Sequence, residues 1–158
     1  MKDTNRVSPG YYHSEECNLA DFQKIIDQKL AIDSVPHAKE IKKNIPIYDI
    51  EELQNIFQND ALKNDLMAEW AWVFRESSGV IVLRNAYRDT SAIDEATQLY
   101  EGIIADEKLK SGGGADHFAA AGANDRIWNS LQKLCESSPD VFLRYFANVA
   151  IQTACEAW

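Results

Sequence analysis

The chain has 158 residues, 46% hydrophobic and 26% charged. This is ordinary globular usage, enough for one domain with a real core, and it argues against wholesale disorder. With 25 acidic against 16 basic residues the formal charge is −9, a balance that repels phosphate backbones and anionic lipid heads. The short basic runs, Lys39 with Lys42 and Lys43 and Lys108 with Lys110, have acidic neighbours and read as solvated surface, so neither nucleic acid nor a membrane is expected as a partner.

Residues 1–17 are polar, carry a Ser8-Pro9-Gly10 break and are expected to form a poorly ordered arm. They lack the apolar core of a signal peptide, and no apolar run approaches a membrane span. Asn18 can cap a first helix with Leu19, Phe22, Ile25, Ile26 and Leu30 on one face. The stretch from Asp33 to Ile47 places Pro36 and Pro46 among lysines and reads as linker. Residues 1–48 thus form an arm, one helix and a proline-containing linker, and 49–158 a second, helical region.

Asp49 begins the next helical signal, with Ile50, Leu53, Ile56 and Phe57 at helical spacing. Asn59-Asp60 restarts a helix bearing Leu62, Leu66, Trp70, Val73 and Phe74, which Gly79 ends as a left-handed cap residue would. Val80-Ile81-Val82-Leu83 is the one strong strand signal, placed at about 80–84. Thr90 or Ser91 can cap a helix bearing Ile93, Ala96, Tyr100, Ile103 and Ile104. Ser111-Gly112-Gly113-Gly114 reads as a flexible loop. Asn124 or Asp125 opens a helix with Ile127, Trp128, Leu131, Leu134 and Cys135 inward, and Ser138-Pro139-Asp140 starts a last helix running to the C-terminus. The expected fold is mainly α with one short strand. Two features point to further chain beyond Trp158, with a strand paired across a dimer as the alternative: the strand has no visible partner, and the last helical pattern stops without a cap.

The three histidines, His13, His37 and His117, include no pair at the spacing of a helical zinc site, and there is no Cys-x-x-Cys. His13-Ser14-Glu15 has the form of half a facial triad but falls in the arm. Cys17, Cys135 and Cys155 do not describe a disulfide framework; they suit a reducing, cytoplasmic setting, with Cys135 and Cys155 expected as buried, inert thiols. A thiol enzyme using either is the weakest of the readings. The glycine run lacks the Gly-Lys-Ser/Thr ending of a phosphate loop. Glu69, Glu76, Glu101 and Glu107 read as the wet faces of helices, and Trp70, Trp72, Trp128 and Trp158 as core.

Three blocks occur in a particular order: Ser78-Gly79-Val80-Ile81-Val82-Leu83-Arg84-Asn85-Ala86; then Gly113-Gly114-Ala115-Asp116-His117-Phe118 with Asn124-Asp125-Arg126-Ile127-Trp128; then Phe142 through Glu156-Ala157-Trp158. In this order they resemble the front end of the phytanoyl-CoA dioxygenase-like family of Fe(II)- and 2-oxoglutarate-dependent oxygenases. The resemblance covers about half the chain. It implies a dioxygenase family whose full-length members have a double-stranded β-helix barrel and hydroxylate small organic or acyl substrates. It also implies that a full-length relative holds Fe(II) through a His-x-Asp pair and a distant second histidine and binds 2-oxoglutarate. This chain contains no His-x-Asp. The implied reading is a truncated N-terminal portion without the barrel or a metal site, binding no cofactor and without turnover alone. No catalytic residue carries over; His117 and Arg126 match front-end positions and are expected at most to line a pocket. The competing reading is a stand-alone helical interaction module, self-associating or docking a partner through exposed apolar surface such as Val80–Leu83 and Trp158.

Overall fold

A computed structural model of the chain describes residues 13–111 and 125–158. These form a mainly helical fold with a small three-stranded sheet and no barrel. After a single 3-10 turn at Ser14–Glu16, helix α1 spans Leu19–Ile26. As expected, the Asn18 side chain caps it, accepting the Asp21 N–H at 2.9 Å.

The stretch read as linker is not one. Strands β1 (Glu40–Lys42) and β2 (Ile45–Asp49) form an antiparallel hairpin there, pairing Lys42 with Ile45, Ile41 with Pro46 and Glu40 with Ile47. The turn between them is Lys43-Asn44, both at positive φ (51° and 68°), the backbone that suits the twist of a two-residue hairpin. The Asn44 carboxamide oxygen accepts the Leu30 N–H at 2.6 Å and ties the hairpin tip to the segment after α1. Proline in a central strand ordinarily removes a ladder bond. Here it does not. One step beyond the pair that flanks the turn, Pro46 falls at a position where facing residues exchange no backbone bonds. On its other side the parallel ladder starts only at Ile47.

The strand signal near residue 80 becomes β3 (Val82–Arg84), and its partner is β2, in parallel register: Ile47 with Val82, Tyr48 with Leu83 and Asp49 with Arg84. The strand therefore has a partner within the chain, and the order is β1-β2-β3. The proposed boundary at 48/49 cuts through β2. Parallel neighbours need a crossover, which is supplied here by turns over residues 50–55, a 3-10 turn at Ile56–Gln58 and helix α2 (Asp60–Glu76). Residues 49–57 thus bury Ile50 and Leu53 as their pattern suggests, but in turns rather than an α-helix.

Asn59 caps α2, accepting from the N–H groups of Ala61 and Leu62 at 3.1 and 3.2 Å. Leu66, Glu69, Trp70 and Val73 form its buried face, at the i, i+3, i+4, i+7 spacing of a one-sided helix. Gly79 takes φ +69° at the exit, a conformation that costs other residues, and its N–H returns to the Val73 carbonyl at 3.0 Å. The main core joins Val35, Ala38, Tyr48, Ile50, Leu53, Leu66, Trp70, Val73 and Ala150.

A second, smaller core gathers Ala96, Leu134 and Val141 from helices α3 (Ser91–Ser111), α4 (Ser130–Ser137) and α5 (Pro139–Phe146), with Phe142, Tyr145 and Phe146 at its margin. Pro139 opens α5 at its first position, as expected. The single last helix is instead two. The first ends at Phe146, and Asn148 caps α6 (Val149–Ala157), accepting from Ala150 and Ile151 N–H at 3.0 and 3.2 Å while its amide donates to the Ala86 carbonyl at 2.7 Å. α4 starts at Ser130, later than expected, after a left-handed Asn129. Trp128 and Leu131, expected inward, are exposed. Of the four tryptophans only Trp70 is fully buried; Trp158 is 83% exposed, although its ring meets Phe74 edge-on at 5.7 Å. Cys135 is partly buried and Cys155 exposed, not the sealed thiols expected. Among the described residues no helix is long and apolar enough to cross a membrane.

Candidate functional site

The most distinctive polar cluster lies inside the main core, where β2 faces α2. Tyr48 is central on β2 and wholly buried, and Glu69 is 8% exposed on the inner face of α2. The Tyr48 hydroxyl donates to Glu69 Oε1 at 2.7 Å, and the His37 backbone N–H donates to Oε2 at 3.1 Å. The His37 imidazole follows, with Nε2 4.0 Å from Oε2. Three parts of the chain therefore converge on one carboxyl: the loop before β1, the central strand and the crossover helix.

Burial pushes the Glu69 carboxyl above its ordinary range, since a desolvated carboxylate is costly; the Tyr48 and His37 hydrogen bonds and the nearby imidazole oppose this, while Asp65 adds to it. The Tyr48 phenol is pushed up too, by burial first and then by donating to Glu69. Trp70 packs edge-on against Tyr48, with ring centroids 5.4 Å apart. Its buried indole N–H is near enough to the hydroxyl to favour the phenolate slightly, yet it forms no hydrogen bond of acceptable geometry. The indole donor is left unsatisfied, a cost that the packing of the ring must offset.

A second set flanks the first along the sheet. Asp49, buried at the end of β2, accepts from Asn85 Nδ2 at 2.9 Å and from Lys39 Nζ at 3.0 Å. These bonds, Asn85 foremost, hold its carboxyl below the ordinary range. Lys39 also reaches Glu52, and Arg84 reaches Glu40. Asn85 takes φ +58°, which asparagine tolerates better than most residues, and this places its amide against Asp49. The Ser78–Ala86 block thus supplies a strand, a left-handed turn and an anchor for the hairpin.

Chemically, the inner cluster is a fastening. Its carboxyl is ready to hold a proton, but Tyr48 and Trp70 seal it, and the partly exposed His37 side chain is the part of the cluster nearest solvent. Glu69 is therefore not on a wet face, where its residue type places it. The signal that it is not wet was present in its spacing, three residues after Leu66 and four before Val73 on the buried stripe.

Of the two front-end residues singled out, His117 lies outside the described residues. Arg126 is exposed ahead of α4, with its guanidinium carbon 5.7 Å from the centre of the Trp128 ring. It does not line the shallow, open depression formed by Glu95, Gln98, Leu99, Ser138 and Val141 between α3 and α5. Compared with protein-family models, with curated proteins and with solved structures, the chain matches none. Among the described residues no three His, Cys, Asp or Glu side chains converge to hold a metal ion. His13 is exposed at the start of the described chain, and the His37 imidazole faces Glu69.

Proposed function

We propose that the chain is the helical front-end region of a phytanoyl-CoA dioxygenase-like oxygenase and has no oxygenase activity by itself. The observation that carries this reading is the order of three sequence blocks, 78–86, 113–128 and 142–158, which resembles the front end of that family. The described parts of these blocks have structural work that suits a supporting region. The first supplies β3 and the Asn85 anchor, and the third supplies α6, which packs on α2 and links to it through the Lys63–Glu156 ion pair at 2.6 Å. Fe(II) and 2-oxoglutarate would belong to a full-length relative, whose His-x-Asp and distal histidine this sequence does not contain.

An anaerobic titration of the chain with Fe(II) and 2-oxoglutarate, followed by a succinate assay on a panel of acyl and alkyl substrates, tests the reading. The expected result is no stoichiometric iron site and no succinate above the protein-free blank. Saturable binding of one ferrous ion by three protein donors, or succinate formed in proportion to protein, would overturn it.

A further inference from the structure

Helix α1 exposes an apolar face that nothing in the described chain covers. Leu19 is 78% exposed, Phe22 57%, Ile25 62% and Ile26 52%, and no residue of α1 is buried. At about 100° per residue these four side chains fall within an arc of about 120°. The polar side chains satisfy one another elsewhere on the helix: Lys24 pairs with Asp21 at 2.9 Å, and Gln23 donates to Asp27 at 2.8 Å. The helix is only eight residues long. Isolated helices shorter than about 12–15 residues are marginal in water, so a stripe this apolar on a helix this short calls for a surface to pack against.

We infer that α1 is a self-association element, in which the apolar face of one copy packs on the same face of a second copy about a two-fold axis. Charge favours a second copy. Residues 18–29 carry two aspartates and two lysines and are locally neutral, within a chain of net charge −9. Contact through this segment therefore brings little like charge together, and the Asp21–Lys24 and Gln23–Asp27 pairs stand off the apolar arc. Area points the same way. At roughly 200 Å² for a fully exposed large apolar side chain, the four exposures sum to about 500 Å² per copy. Two copies would bury about 1,000 Å², the lower bound of a specific interface and the range of a weak, reversible dimer. A symmetric contact also closes on itself and does not propagate. This inference stands independently of the oxygenase reading.

The test is sedimentation velocity on the full chain from about 1 to 200 µM, alongside Phe22→Glu/Ile26→Glu and the milder Phe22→Ala/Ile26→Ala. The expected result is a monomer–dimer equilibrium with a midpoint on the order of tens of micromolar. The alanine pair should weaken it at least about tenfold and the glutamate pair should abolish it. At about 1 µM, below the dimer midpoint, the Tm of both variants should match wild type, because neither core includes α1. A wild-type chain that stays monomeric at the highest concentration would overturn the inference. So would a dimer that persists unchanged in either variant, since its contact would then lie elsewhere, for instance at Trp158.

Discussion

Removing the Tyr48 hydroxyl probes the buried cluster with the smallest change in shape. In Tyr48→Phe the ring and its edge-on contact with Trp70 remain, but Glu69 Oε1 loses a donor at 2.7 Å in a largely buried site. A hydrogen bond to a charged group contributes about 1.5–3 kcal/mol, and one between neutral groups about 1 kcal/mol. The cost should therefore follow the ionisation of Glu69. Its native carboxyl pKa is raised, so the native state binds that proton more tightly than the unfolded chain does. The stability it contributes is fully present below the unfolded carboxyl value of about 4.3 and is lost as pH rises through the raised native value. Tyr48 eases that loss by favouring the ionised form. Urea unfolding of wild type and Tyr48→Phe at pH 4 and pH 8 should show a destabilisation of about 1 kcal/mol at the lower pH, rising to about 1.5–3 kcal/mol at the higher. In a Glu69→Gln background the pH dependence of the Tyr48→Phe effect should vanish. A destabilisation that is the same at both pH values, or that shrinks as pH rises, would refute the assignment of Tyr48 as the donor that holds a buried, titrating Glu69.

Other substitutions test the framework around it. Leu66→Ala removes a wholly buried side chain from the main core and should cost about 2–5 kcal/mol, read as a shift of the urea midpoint at unchanged slope. Asn59→Ala deletes the cap that accepts from Ala61 and Leu62 and should cost about 1 kcal/mol by the same measurement, with little change in far-UV signal. Arg144→Met severs the links from α5 to Glu95 and, within α5, to Asp140; these groups are accessible to solvent, so thermal melts should show a small loss that disappears at high salt.

Helices with a strong apolar stripe and a clear cap were legible in the sequence. Asn59 and the Leu66–Trp70–Val73 face announced α2, and Ser138-Pro139 announced α5. What stayed hidden were features set by tertiary pairing. The β1–β2 hairpin turns on Lys43-Asn44, which lacks the glycine that usually signals such a turn, and Pro46 is tolerated only because of its register against Ile41 and the late start of the β3 ladder. A strand at Val82–Arg84 reads as unpaired as long as β2 is not recognised; the structure pairs it with β2. Asn148 broke the last helix because its side chain found two helix N–H groups and the Ala86 carbonyl, a choice that depends on where residue 86 lies. The burial of Glu69 is readable from its spacing on the Leu66–Trp70–Val73 stripe, against the preference of its residue type. Apolar patterning also overstated burial. The α1 stripe is as regular as that of α2, yet no neighbour in the described chain covers it.

The family proposed for this chain rests on the order of three sequence blocks, and the most direct test is the nucleotide sequence downstream of the Trp158 codon, translated in all frames. On that proposal a His-x-Asp pair is expected there, followed further on by a second histidine within strand-like segments. An unrelated downstream sequence in every frame would contradict it.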